Sequence, residues 1–245
     1  MIVYDKLHNA FESDLFNEVI VSSGFTTRET GDGRSVEIIQ SYLRINQILF
    51  KELVIPQQIH SANIAVYAET HQDIVYIPDT DGVVTKEKGV ALIIRSADCL
   101  PILYTDTDAG VIAASHNGWR GTLKNIGLNI IQAMIKIGAN IDNIKVSVGP
   151  GIGACCYDIS EELYYEFMGV NEDEMGAFQR HAGKRFLNLL KMNYALLLKY
   201  GIQPQHIDFF PFCTQCDRER FFSYRRDHKK HPDQFGEMFS YIVRN

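Results

Sequence analysis

Short uninterrupted apolar runs recur through the middle of the chain, and they limit what it can fold into. Asn63–Tyr67, Val90–Arg95, Ala109–Ser115, Lys145–Val148 and Ile207–Phe210 read as strands. A run such as Val90-Ala91-Leu92-Ile93-Ile94 has no polar face, so both faces of its strand need cover. Helical periodicity lies between these runs. Leu123, Ile126, Ile130, Met134 and Ile137 recur at three- and four-residue spacing, which predicts a helix over Thr122–Ile137 with Thr122 as N-cap. Lys184–Tyr200 reads as a second helix stopped by Gly201, and Glu161–Met168 as a weaker third. Residues 109–148 thus form a strand–helix–strand unit. Elsewhere the alternation is irregular, so the expected class is α+β, a layered sandwich of mixed β-sheet flanked by helices.

A core covered on both faces needs a long chain, and 245 residues suffice without a disulfide or metal staple. No repeat, low-complexity tract or Pro/Gly/Ser linker divides the sequence, so one domain over residues 1–245 is expected. The polar stretch Thr26–Arg34 reads as a loop. With 46% hydrophobic and 22% charged residues, disorder, collagen and coiled coil are excluded.

The net charge of −6 argues against nucleic acid as the main partner, because phosphate binding needs concentrated Lys and Arg. Apolar stretches such as Gly89–Ile94 fall far short of the roughly 20 residues of a spanning helix, so no membrane partner is expected. Met1–Phe16 carries Asp5, Lys6, Glu12 and Asp14 and lacks the apolar core of a signal peptide. The expected compartment is the cytoplasm. In that setting five cysteines are not a disulfide framework. Each thiol is then a small buried hydrophobe, a metal ligand or a nucleophile.

His60, Cys99 and His116 form the first chemical constellation. Each sits at a strand end or strand-to-loop junction, in Gln57-Gln58-Ile59-His60-Ser61, Asp98-Cys99-Leu100-Pro101 and His116-Asn117-Gly118-Trp119-Arg120-Gly121. One thiolate and two imidazoles suit Zn²⁺ with an open fourth position, where a water's pKa falls toward about 7. The same residues allow a thiol nucleophile, with Cys99 attacking, His116 or His60 as base and Asp98 orienting it. They also allow copper, since two histidines and a cysteine suit a blue-copper centre. A core cysteine with two capping histidines is the plainest reading.

Three further features carry weaker signals. Gly149-Pro150-Gly151-Ile152-Gly153-Ala154-Cys155-Cys156 follows a strand and allows either an anion cradle or a tight turn with two packed thiols. It matches neither nucleotide-loop pattern. Cys213-Thr214-Gln215-Cys216 has no second CxxC at ribbon spacing and reads as structural or incidental. Asp217–His231 holds six Lys/Arg against three Asp/Glu with Phe221, Phe222 and Tyr224 interleaved. It reads as a charged face around a buried Phe pair, as a single-strand nucleic-acid contact, as a partner-binding stretch or, through Arg225 and Arg226, as an anion site. His8, His71, His181, His206, His228 and His231 are expected at the surface.

Taken together, QQIHSANI, DGVVT, SADCLPILYTD, ASHNGWRGT, VGPGIGACCYDI and FFSYRRD resemble the laccase-domain family. That family was long described as multicopper polyphenol oxidases and since reinterpreted as zinc-dependent purine nucleoside phosphorylases with adenosine deaminase activity. The resemblance runs from about Gly24 to the C-terminus. It implies Zn²⁺ rather than copper, held by His60, Cys99 and His116. It implies phosphorolysis of adenosine, inosine, guanosine and methylthioadenosine, and deamination of adenosine. The small-molecule partners are then a purine nucleoside and phosphate, with Arg28, Arg120 and Arg225 as candidate phosphate ligands. A copper-dependent polyphenol oxidase and a Cys–His hydrolase of cell-wall precursor peptides are the alternatives. The chain departs from the family at Asn117, where Ala is usual and where an amide beside a ligand is expected either to contact substrate or to face solvent. It departs again at Glu237, where Arg often follows Gly236, and in the short charged loop Thr26–Arg34.

Overall fold

A computed structural model of the chain describes residues 2–16, 19–170, 176–228 and 235–245. In chain order the elements begin with β1 (Ile2–Asp5), β2 (Ala10–Ser13), β3 (Val21–Thr26), α1 (Val36–Ile45), β4 (Glu52–Pro56), β5 (Ile64–Tyr67), β6 (Ile74–Ile77) and β7 (Gly82–Thr85). The central stretch adds β8 (Val90–Ser96), β9 (Leu100–Asp106), β10 (Val111–Asn117), α2 (Trp119–Leu123), α3 (Ile126–Lys136) and β11 (Lys145–Val148). The last part holds β12 (Asp158–Ile159), α4 (Glu161–Val170), β13 (Phe178–His181), β14 (Lys184–Leu187), α5 (Leu189–Lys199), β15 (Ile207–Phe209) and β16 (Met238–Arg244).

Two large mixed sheets stack face to face. One runs β1-β2-β3-β16-β8-β4-β6, with β8, β4 and β6 parallel. The other runs β15-β11-β9-β10-β7-β5, with parallel pairs at its two edges. Register explains why the strands are apolar on both faces. Val54, Leu92 and Ile242 form a cross-strand row of the first sheet. They pack in one cluster with the row Val83, Ala114 and Leu103 of the second. One residue along, Leu53, Ala91 and Val243 turn outward onto Ile39 and Leu43 of α1. On the far side Val84, Ala113 and Tyr104 turn onto Ile130 and Met134 of α3 and Leu196 and Leu197 of α5. The order of layers is helix, sheet, sheet, helix, the expected α+β sandwich. Each large aliphatic side chain buried this way stabilises by about 1.5–3 kcal/mol.

Two predicted helices differ in detail. The helix expected over Thr122–Ile137 is broken: α2 ends at Leu123, and Asn125 takes a left-handed conformation at φ 59° before α3 begins. Asn tolerates that geometry, and its side chain accepts a hydrogen bond from Tyr200 Oη at 2.6 Å. Thr122 is therefore buried inside α2 and not its N-cap. The helix expected over Lys184–Tyr200 starts later, at Leu189, with Asn188 as the N-cap accepting from Lys191 N at 2.9 Å. Lys184–Leu187 instead pairs with β13 across a two-residue turn, where Ala182 and Gly183 both have positive φ. No helix among the described residues is long and apolar enough to cross a membrane.

Candidate functional site

The site forms where β4, β8 and β10 end, at a common rim of the two sheets. After β4, the Gln58 side chain is stitched to β8: its Nε2 donates to Arg95 O and its Oε1 accepts from Arg95 N. The chain then turns, and His60 takes a left-handed φ of 59°. That turn closes on the fully buried Asp81, whose carboxylate accepts from the backbone N–H groups of Ile59, His60 and Ser61 and from Ser61 Oγ. Strained backbone is held here by four bonds to one charge.

Asp81 also accepts from Nδ1 of His116 at 2.9 Å. A carboxylate only accepts, so Nδ1 carries the proton and Nε2 keeps its lone pair. Burial pushes the Asp81 carboxyl up, but the His116 and Ser61 bonds outweigh it and bring it to about 2. Burial likewise raises the Cys99 thiol, and the His116 and His60 rings beside it bring it down to about 7. Burial lowers His116, and Cys99 and Asp81 push it up to about 10. The two shifts share one cause, the contact between the Cys99 sulfur and the His116 ring, and the fall at Cys99 favours the thiolate, the form that binds metal.

The ligand atoms of His60, Cys99 and His116 all lie within 4.8 Å of one another. The two imidazoles meet edge to face, with ring centroids 4.8 Å apart. Backbone closes one side: a Cβ on Gly118 would sit 2.9 Å from Cys99 Sγ and 3.2 Å from the His60 ring. Two nitrogens and one sulfur with an open side are a donor set that can hold a tetrahedral ion. Asp81 supplies the carboxylate behind the histidine that such ligands use to fix tautomer and orientation.

The open side faces a cavity of about 530 Å³. Arg95, Arg120 and Arg225 line it, with aromatic walls from Trp119, Tyr157, Tyr224 and Phe235. The Arg120 guanidinium lies 4.4 Å above the Trp119 ring. Arg95 has a buried Nε without a hydrogen-bond partner. Arg225 is more committed, because its guanidinium bonds Asp158 and stacks over Tyr157.

Two other predicted contacts are not brought here. Arg28 bonds Arg218 O and lies over Phe222, and it is not among the residues lining the cavity. Asn117 is fully buried on the opposite side of β10, where strand alternation must send the neighbour of His116. Its amide accepts from Ser115 Oγ and donates to Asn193 Oδ1. Asp98 does not orient a histidine: its carboxylate accepts from Thr214 Oγ1, Ser223 Oγ and Arg225 N. The glycine loop after β11 is no anion cradle. Its N–H groups at Gly149, Ile152 and Gly153 bond Pro101 O, Asp98 O and Cys213 Sγ. A Cβ at Gly149 or Gly151 would fall 2.3 Å from Phe25 or 2.4 Å from Leu100. The glycines serve close packing within the protein.

Of the stretch Asp217–His231, residues 229–231 lie outside the described residues. The rest is a charged surface over the buried Phe221, and Arg226 is tied to Asp227 and to three backbone carbonyls. Among the remaining histidines, His71 and His181 are exposed, His8, His206 and His228 are half-buried, and His231 is not described. Sequence reasoning passed over Asp81 and Arg95. The signal for Asp81 was present, an acidic residue opening an otherwise apolar strand in Asp81-Gly82-Val83-Val84.

Comparisons with known proteins agree with this geometry. The model of the family described as multi-copper polyphenol oxidoreductase laccase matches residues 25–245. A protein named adenosine deaminase RL5, from an unknown prokaryotic organism, is 31% identical over 71% of this chain and 70% of its own. Purine nucleoside phosphorylase YlmD of Geobacillus stearothermophilus is 30% identical over 87% of this chain and 81% of its own. The crystal structure of hypothetical protein YfiH from Bacillus licheniformis superposes with a TM-score of 0.88 at 25% identity, covering 100% of this chain and 99% of that one. A match through both sheets and every segment of the site places this chain in the multi-copper polyphenol oxidoreductase laccase family, whose relatives include proteins named for purine nucleoside processing.

Proposed function

We propose that this chain is a zinc-dependent purine nucleoside phosphorylase that also deaminates adenosine, with His60, Cys99 and His116 holding the ion. One observation carries the reading: a thiolate and two imidazoles converge beside a nucleoside-sized cavity that three guanidinium groups line. The names of the relatives support the substrate class. The donor set supports zinc over copper. A blue-copper centre adds a weak axial ligand, Met or Gln; among the described residues no methionine lines this cavity, and both ends of the Gln58 amide are taken by the Arg95 backbone.

When bound, Zn²⁺ would supply Lewis acidity at its open position. The protein's own groups do the rest. Arg120 and Arg95 offer guanidinium forks for phosphate, and Arg225 lines the same cavity. In phosphorolysis a phosphate oxygen bonds C1′ as the C1′–N9 bond breaks, and the purine leaves with the electron pair. The arginines hold the phosphate against C1′ and carry its charge. Tyr157, Tyr224 and Phe235 present ring faces for the base. In deamination water adds at C6 and ammonia leaves. His116 is no free base for that step, because Asp81 holds its Nδ1 proton and its remaining lone pair, on Nε2, would go to the ion.

The test is a panel of adenosine, inosine, guanosine and methylthioadenosine, with products identified with and without phosphate. Free base and the sugar 1-phosphate (the methylthio sugar from methylthioadenosine) should form only with phosphate, and inosine should form from adenosine without it. Cys99→Ala should abolish both. Phenol oxidation by a stoichiometric copper protein, or peptide hydrolysis by a metal-free one with a labelled Cys99, would replace this reading.

A further inference from the structure

The fold brings four of the five cysteines together at a second place. Cys155 and Cys156 lie in the turn after β11, and Cys213 and Cys216 in the loop after β15. Their sulfur atoms all lie within 4.8 Å of one another. Cys216 Sγ is 3.5 Å from Cys155 Sγ and 3.4 Å from Cys156 Sγ. A disulfide needs about 2.05 Å, so these are contacts and not bonds. Zn–S bonds of about 2.3 Å set tetrahedrally put sulfur atoms about 3.8 Å apart. Those two separations fall about 0.3–0.4 Å short of that value, and no pair among the four sulfurs exceeds 4.8 Å.

Local geometry prepares one of these sulfurs for negative charge. Cys213 Sγ accepts from Gly153 N at 3.1 Å and from the backbone N–H groups of Gln215 and Cys216. Convergent N–H donors on one sulfur favour the thiolate, the form that binds metal. The two loops are aligned independently of the sulfurs: Gly151 and Cys213 form a parallel bridge, and Thr214 N donates to Gly151 O at 3.0 Å. The adjacent pair reaches a common point because residues 153–156 turn, with Cys156 N bonded to Gly153 O. Adjacent cysteines opposite a CxxC are not the ribbon spacing, which is why the sequence does not announce the site.

We propose that Cys155, Cys156, Cys213 and Cys216 bind a single Zn²⁺ as a closed tetrathiolate, separate from the His60, Cys99 and His116 centre. Four protein ligands leave no open position, so the ion is structural. It clamps two loops, one in the cavity wall and one bonded to Asp98 of that wall. The first carries Ile152 and Tyr157. The second holds Asp98 through Thr214 Oγ1 at 2.6 Å and Arg226 through the carbonyls of Thr214 and Gln215.

The experiment measures metal content of the full chain, purified under reducing conditions without added metal. Wild type should carry two zinc ions, Cys99→Ala one and Cys216→Ser one. Cobalt replacement gives a readout other than activity. The intense sulfur-to-cobalt charge-transfer band of a tetrathiolate should persist in Cys99→Ala and vanish in Cys216→Ser. Wild type alone gives a test that survives misfolding of a variant: the four thiols should resist alkylation until a chelator is added. If Cys216→Ser keeps the wild-type metal content, the proposal is overturned. Free alkylation of all four thiols in native wild type, or a disulfide among them under the same conditions, overturns it too. A protein whose only zinc is lost in Cys216→Ser and kept in Cys99→Ala supports this site and sinks the zinc reading of the other.

Discussion

Asp81 and His116 are joined by a 2.9 Å hydrogen bond between neighbouring strand ends of the second sheet. The same carboxylate that sets the His116 tautomer also accepts the N–H of His60. Two of the three converging residues therefore depend on one buried charge. Asp81→Asn keeps the shape but replaces an acceptor by a donor toward part of this ring of N–H groups. Carboxylates behind metal-binding histidines are worth roughly 10–100-fold in affinity. The expected outcome is a zinc affinity lower by about that factor, read by competition with a coloured chelator. An unchanged affinity would show that Asp81 does not position the histidines.

Gly118 tests the steric side of the same centre. Its φ of −73° suits any residue, so alanine carries no backbone penalty there. The added Cβ would lie 2.9 Å from Cys99 Sγ, closer than real Cβ contacts allow. Gly118→Ala is expected to displace the sulfur and lower metal occupancy of this centre, while the melting temperature of the metal-free protein stays within a few degrees of wild type. Metal analysis and calorimetry on the same preparation separate the two effects.

The arginines divide by where they point. Arg120 lines the cavity, while Arg28 lies over Phe222 and does not line it. A hydrogen bond to a charged partner is worth about 1.5–3 kcal/mol, or roughly 10–100-fold. Arg120→Ala should raise the KM for phosphate by about that factor and leave phosphate-independent deamination of adenosine nearly unchanged. Arg28→Ala should leave both alone. Steady-state kinetics with phosphate as the varied substrate decides it, and a phosphate KM that moves with Arg28 would reverse the assignment.

The three converging residues and the strands β5, β8, β10, β11 and β15 were legible because they rest on local signals. Val90–Ile94 is apolar at every position, and only a strand covered on both sides tolerates that. Cys99 follows that strand, His116 stands at the end of β10, and His60 lies in the turn after β4. What stayed hidden depends on long-range pairing. Lys184–Leu187 continues the helical periodicity of the next segment, and only its pairing with β12 and β13 makes it a strand. The four-thiol cluster joins residues about sixty positions apart through an isolated bridge of two residues, which no local spacing encodes. Asn117 was read as a substrate contact because of its neighbours in the chain, but period-two alternation places it on the other face.

That placement makes Asn117 a stability residue. Its amide links Ser115 Oγ at 2.6 Å to Asn193 Oδ1 at 2.9 Å. Asn193 Nδ2 in turn donates to Thr122 Oγ1 and Leu189 O. The network therefore joins β10, α2 and α5 in the layer behind the site. Asn117→Ala leaves the Ser115 hydroxyl and the Asn193 carbonyl oxygen short of a partner in a buried setting, at a cost of about 1–3 kcal/mol. The expected result is a lower melting temperature with kcat and KM close to wild type. A double-mutant cycle with Asn193→Ala should show coupling, since each residue's loss leaves the other's groups unpaired. A change in substrate KM with no loss of stability would return Asn117 to the cavity.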